Sequence, residues 1–188
     1  METGDCLFQI LLPEGGEGAR LFFMEMLPSF IETVPLGSPL VKDGRELLFL
    51  PEGQGLPGEF LPAKGVTVIA SSESESQLKA LSRLPVQVLA CGLSSKDTVT
   101  FSSRSEGRAA VSLLREIKGW DGRPVEPMEF LLDIPAGCGD YLVLAAAAAV
   151  VYFGISPHHL KKISSYKKVR PAHNTNANAK NQIFKRIY

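Results

Sequence analysis

The clearest pattern in the chain is an alternation of apolar strand and amphipathic helix in its middle part. Residues 66–70 form a short β-branched run of the kind that is buried on both faces of a parallel sheet. A serine of the polar turn at 71–74 can cap a helix over 75–84, which carries leucines on one face. A proline ends this helix and residues 86–90 begin a second strand. Strands joined in this way are almost always parallel, so the pattern predicts an α/β fold.

Prolines and glycines punctuate the first 64 residues, so the elements there must be short. Apolar runs at 7–12 and 46–50 predict two strands. Between them, residues 20–31 read as an amphipathic helix that is interrupted near Pro28. The glycine-rich segment 51–58 predicts a surface turn or loop.

The pattern changes after residue 92. Residues 97–103, 109–115 and 129–134 are strand-like and are separated by turn signals containing glycine. They predict an antiparallel extension of the sheet. The expected fold class is therefore α/β, with a three-layer-like, mostly parallel sheet that an antiparallel part extends.

Residues 140–154 form an almost uninterrupted apolar run that predicts a buried helix, with Gly154 as its C-terminal stop. Ser156 and Pro157 then suit the N-cap and first position of another short helix. At about 1.5 Å per residue, the apolar helix covers only about two-thirds of a hydrocarbon core roughly 30 Å thick. We therefore expect no membrane span, and the alanines favour close packing against a sheet.

The net charge of zero conceals an uneven distribution. Of the 20 basic residues eight follow Pro157, whereas all 20 acidic residues precede it. We expect residues 1–64 to complete the domain, 65–157 to form the α/β core, and 158–188 to form a basic, partly disordered tail. Such a tail is attracted to nucleic acid or anionic lipid, but no groove-reading motif or aromatic platform accompanies it, so nucleic-acid binding is the less favoured interpretation.

Cysteine usage and the N-terminal sequence predict a cytoplasmic protein. The three cysteines, Cys6, Cys91 and Cys138, are odd in number and widely spaced, which supports neither a disulfide framework nor a zinc site. The first residues are acidic and lack the basic and apolar segments of a signal peptide.

Residues 66–170 resemble the second half of the central, ATP-binding domain of the Mur ligases, the amide-forming enzymes of bacterial cell-wall precursor synthesis. The resemblance lies in the order of five phrases, which are 66–73 (VTVIASSE), 88–99 (VLACGLSSKDTV), 134–148 (IPAGCGDYLVLAAAA), 152–157 (YFGISP) and 166–170 (YKKVR). It implies a ligase-type twisted sheet of bacterial origin, so the sequence indicates an ancestry but does not reveal an activity.

The residues that would make such a domain an ATP-dependent enzyme are missing. No glycine-rich loop ends in Gly-Lys-Thr or Gly-Lys-Ser, and the nearest glycine cluster, 15–20, has Glu17 where phosphate would lie. The asparagines of the family's His-Asn-x-x-Asn phrase resemble an adenine clasp, and the positions here that match this phrase are Gly139, Asp140 and Val143, so the clasp is missing. We therefore expect no nucleotide and no cofactor.

Other catalytic arrangements receive little support. His158 and His159 are adjacent, so on a helix their side chains point about 100° apart and cannot share one metal ion. Cys91 follows a strand without a predictable histidine partner, which favours a small buried thiol over a nucleophile.

Three hypotheses follow. The first is a non-catalytic Mur-ligase-like module for binding or assembly, with a protein partner or a second copy possible. The second is a small-molecule-binding protein or enzyme that uses the crevice at the carboxyl ends of the parallel strands. Its predicted lining is Ser71, Ser72, Glu73 and Cys91, which follow the two clearest strands. The third is nucleic-acid binding through the basic tail.

Overall fold

A computed structural model describes residues 8–37, 46–56, 66–134 and 136–160. The helices are α1 (Glu17–Met26), α2 (Glu75–Leu81) and α3 (Asp140–Tyr152), and a 3₁₀ turn covers Pro157–His159. The strands are β1 (Phe8–Leu12), β2 (Ile31–Pro35), β3 (Glu46–Phe49), β4 (Thr67–Ser71), β5 (Gln87–Cys91), β6 (Val99–Ser105), β7 (Arg108–Leu113), β8 (Ile117–Lys118), β9 (Pro124–Val125) and β10 (Met128–Asp133).

Eight strands form one sheet in the order β2-β1-β3-β4-β5-β6-β7-β10, and β8 and β9 pair separately. The strands from β2 to β6 are parallel to their neighbours, whereas β6, β7 and β10 pair in antiparallel fashion. The predicted α/β class, the mostly parallel sheet and its antiparallel extension are confirmed. Strands from both sides of residue 65 belong to this sheet, since β3 pairs directly with β4.

Helices cover both faces of the parallel part. Helices α1 and α3 share one core with the sheet, and the leucines of α2 join a second core on the other face. The alanines of α3 at 145–149 are fully buried, and the helix packs across β4, β5 and β6. Because an alanine side chain is a single methyl group, the helix backbone approaches the sheet closely. The predicted buried helix is thus confirmed.

The end of α3 follows the expected stop signal. Gly154 has a φ of +67°, its N–H donates to Val151 O at 3.1 Å, and the next N–H, of Ile155, donates to Val150 O at 2.8 Å. This pair of bonds satisfies carbonyls that the helix leaves open, and a positive φ favours glycine. In the part of the chain that the structure describes, no helix is both long and apolar enough to cross a bilayer.

The predicted helix over 20–31 is wrong in its bounds. Helix α1 runs from Glu17 to Met26, and Ile31 instead begins β2. The ring of Pro28 disfavours the helical conformation in the residue before it, and Leu27 is extended with φ −87° and ψ 155°. Helix α2 likewise ends at Leu81, earlier than expected. Beyond Leu160, the predicted basic tail lies outside the described residues.

Candidate ligand-binding crevice

The order of the strands reverses at β1. The chain passes from β1 through α1 to β2 on one side, and β3 then lies on the other side of β1. Where the order reverses in an open parallel sheet, the connections leave the carboxyl ends of the two strands in opposite directions and open a crevice between them. The crevice of this sheet therefore lies between the ends of β1 and β3.

A cavity of about 500 Å³ lies at this point. Its volume is within the range of about 300–1,000 Å³ that small-molecule sites occupy. The walls are the loop after β1 with the first turn of α1, the end of β3, and the start of α3. They consist of Gly15, Gly16, Gly18, Ala19, Phe49, Pro51, Glu52, Gly137, Cys138, Gly139, Tyr141 and Leu142.

The glycine-rich wall joins a buried strand to a helix. Gly15 has a φ of +87°, which favours glycine, and the Gly16 N–H donates to Pro13 O at 3.1 Å in the tight turn that starts α1. The side chain of Gln54 packs on this turn, because a Cβ added at Gly15 would lie 2.9 Å from Gln54 Nε2. Backbone rather than side chains thus forms this wall.

The opposite wall is fixed by Tyr141 at the start of α3. Its hydroxyl donates to Leu50 O at 2.7 Å, and its ring stacks on Phe49 with centroids 5.3 Å apart. Burial raises the pKa of the Tyr141 hydroxyl well above its usual range, so it remains protonated and keeps donating. This contact ties α3 to the segment that follows β3.

Glu52 is the one ionisable carboxylate among the residues that line the cavity. The Ser71 hydroxyl donates to Glu52 Oε1 at 3.3 Å. Carboxylates also occupy the first turns of both adjoining helices, but each has an arginine partner: Glu17 with Arg20, and Asp140 with Arg104. No lysine, arginine or histidine belongs to this lining.

The four predicted site residues lie one to two strands away from this cavity. Ser71 and Cys91 are register partners at the ends of β4 and β5, and the Ser72 N–H donates to Cys91 O at 3.0 Å. Ser71 is buried and reaches the cavity only through Glu52, while Glu73 is exposed. The cavity lining contains none of these four residues, and their role in binding stays a prediction.

The two thiols within the described ranges are poorly placed for nucleophilic chemistry. Cys91 is completely buried, and desolvation together with the Asp97 charge raises the pKa of its thiol. Cys138 lines the cavity, but burial and Asp140 raise the pKa of its thiol to about 12. Both thiols are therefore protonated at neutral pH, and a thiol is a far weaker nucleophile than a thiolate.

Sequence reasoning missed the residues that form the walls. The signal for one wall was present, since the glycine cluster at 15–18 stands between a strand and a helix, the position that phosphate loops occupy. Glycines at 137 and 139 directly before an apolar helix were the signal for the other. That these two segments face each other follows only from the strand order.

Comparison with known proteins does not assign the crevice. No model of a known protein family matches the chain, and no curated protein sequence matches it. Within the described ranges, no group of three or more His, Cys, Asp or Glu side chains is arranged to hold a metal ion.

Proposed function

We propose that this protein is a non-catalytic binding module that holds a small molecule in the crevice between β1 and β3. The observation that carries the proposal is the cavity of about 500 Å³ at the point where the strand order reverses. A ligase-like sheet without nucleotide machinery, as the resemblance to Mur ligases implies, agrees with this role. The proposal joins the first two hypotheses from the sequence.

The chemistry of the walls argues against a nucleoside triphosphate. The loop after β1 stands where a phosphate loop would, but it ends without a lysine and carries Glu17 in the first turn of α1. A triphosphate in the cavity would also lie near Glu52, with no lysine or arginine of the lining to offset its charge. Repulsion between like charges disfavours such a complex.

The lining suits a ligand with an apolar body. Ala19, Phe49, Tyr141 and Leu142 offer apolar and aromatic surface, while the glycine backbone offers hydrogen-bonding groups. A few polar groups in a mostly apolar concave surface are typical of sites for small organic molecules. No lining side chain is a histidine, the Cys138 thiol is protonated, and Glu52 has no serine, threonine or thiolate nucleophile beside it in the lining, so the site lacks a nucleophile–base pair.

The experiment uses backbone amide NMR with a panel of small neutral aromatic alcohols and amides, tryptophol among them, and ATP with magnesium as the comparison. We expect the aromatic probes to shift the amides of Gly16, Gly139 and Tyr141. A ligand that binds the folded state raises Tm. Because we expect ATP with magnesium not to bind, it should shift none of these amides and leave Tm unchanged. A clear ATP-dependent rise in Tm, or no shift with any aromatic probe, contradicts the proposal.

A substitution that fills the crevice provides the matched test. A Cβ added at Gly139 meets nothing within 4 Å, and φ there is −74°, so Gly139→Leu enters open space without backbone strain. Loss of glycine at this N-cap costs about 1 kcal/mol, a small part of the roughly 5–15 kcal/mol by which domains are usually stable. Gly55→Leu also enters open space, but Gly55 does not line the cavity. Gly139→Leu should abolish the probe-induced shifts and Gly55→Leu should keep them.

A further inference from the structure

We infer that the crevice selects a ligand that joins an apolar or aromatic body to a protonated amine, with Glu52 as the group that recognises the amine. The inference rests on the proposed function and names the class of ligand for the same site. It follows from the balance of charges around the cavity, taken wall by wall.

Glu52 supplies the only full charge in the lining that lacks an ionic partner in the described structure. Its carboxylate accepts a hydrogen bond from Ser71 Oγ at 3.3 Å, and the salt bridges of the adjoining helices belong to other carboxylates, in the first turns of α1 and α3. A carboxylate offers about four acceptor positions on its two oxygens. One serine donor therefore leaves capacity for an ammonium group, which brings three donors.

The N-termini of the two helices are the main argument for an anionic ligand instead of a cationic one. The first turns of α1 and α3 both border the cavity, and each helix N-terminus carries roughly half a positive charge. Each of these turns also contains its own carboxylate, Glu17 or Asp140, which offsets that partial charge. Arg20 and Arg104 are paired with these carboxylates and are not among the lining residues.

The remaining walls define the rest of the ligand. Phe49 and Tyr141 are held in a stack and Leu142 adjoins them, so the inner wall is apolar and ordered. Glu52 lies on the exposed segment after β3, at the mouth. A ligand that enters with its apolar body inward places its polar group near Glu52, where a cation is favoured and a carboxylate or phosphate is repelled.

Three probes with one indole framework test the charge directly. Tryptamine is a cation at neutral pH, tryptophol is neutral and indole-3-acetate is an anion. We expect tryptamine to bind about fivefold more tightly than tryptophol, because an exposed ion pair contributes up to about 1 kcal/mol. Indole-3-acetate should bind more weakly than both. The advantage of tryptamine should decrease as salt is raised, because a pair at the mouth is screened.

Glu52→Gln keeps the shape of the side chain and removes its charge. This variant should bind all three probes with similar affinity, while unchanged tryptophol binding shows that the crevice is intact. Glu14→Gln is the matched control, since Glu14 is an exposed acidic residue next to the glycine turn but outside the lining. It should keep the ranking of the probes.

The outcomes separate the inference from the proposed function. If none of the probes binds, the proposed function fails. If tryptophol binds but indole-3-acetate equals or exceeds tryptamine, the crevice stands and the charge assignment is overturned. If Glu14→Gln rather than Glu52→Gln removes the ranking, Glu52 is not the group that recognises the amine.

Discussion

The segment that carries Glu52 is held in place by one buried side chain of α2. Gln77 is 1% exposed, and its Nε2 donates to Pro51 O at 2.7 Å and to Gln54 O at 2.5 Å. The two carbonyls lie on either side of Glu52, so a single amide group ties both ends of this turn to the helix. We predict that Gln77→Leu loosens the mouth of the crevice and also lowers the global stability.

The magnitude can be worked from the contacts. Each of the two lost hydrogen bonds contributes about 1 kcal/mol, so their loss costs about 2 kcal/mol. The offset is that Gln77 Oε1 is buried and accepts no hydrogen bond within the described structure, and leucine removes that unfavourable atom. The net loss should be about 1–2 kcal/mol, which lowers Tm by about 2–8 °C for a domain of this size.

The local effect is measured with a protease that cleaves after glutamate. Glu52 is exposed, and a loss of about 1–2 kcal/mol in the opening of its turn should speed cleavage after this residue about five- to thirtyfold. The matched control is Gln87→Leu at the amino end of β5. The Gln87 amide exchanges two hydrogen bonds of 2.8 Å with the backbone of Lys118, far from the crevice mouth.

Gln87→Leu should therefore lower Tm by a similar amount without speeding cleavage after Glu52 beyond the effect of global unfolding. The reasoning is refuted if Gln77→Leu leaves both Tm and the cleavage rate unchanged. It is also refuted if the two variants speed this cleavage equally, because the turn would then depend on global stability alone.

Two further predictions concern a glycine packed against polar side chains and a partly buried carboxylate. A Cβ at Gly92 would lie 1.9 Å from Ser72 Oγ and 2.7 Å from Asp97 Oδ2, so Gly92→Ala should lower the free energy of unfolding in urea by about 1–3 kcal/mol. Adding Ser72→Gly to this variant should restore part of the loss. Equal stability of Gly92→Ala and wild type would contradict the predicted steric clash. Burial raises the pKa of Glu46 above 4.5, so the folded state holds this proton more tightly than the unfolded chain and loses stability as pH rises through the raised pKa. Glu46→Gln should then be more stable than wild type at pH 8 and nearly equal at pH 4, and a larger difference at pH 4 would show that the sign is wrong.

The elements that the sequence predicts well are those whose burial is complete. In α3 eleven of the 13 residues are buried, and in β4 all five are, with the three central ones apolar, so both elements appear in the sequence as continuous apolar runs. Helix α1 has one buried face, and the apolar residues of β2 continue its pattern beyond Pro28. Local periodicity could not separate the two, whereas the proline determined where the helix ends.

The sequence could predict a crevice at the carboxyl ends of the parallel strands, but not the two strands between which it lies. Carboxyl ends of parallel strands share one edge of the sheet, so polar residues after the clearest strands were a reasonable choice of lining. Which gap opens depends on where the strand order reverses, and this is a property of pairing between segments far apart in sequence. Because β3 and β4 are adjacent, about 4.8 Å apart, the predicted Ser71 falls one strand from the cavity and contacts its lining through Glu52. The sequence pattern thus indicates the edge of the sheet at which the parallel strands end, and the pairing of β1 with both β2 and β3 determines where along that edge the cavity lies.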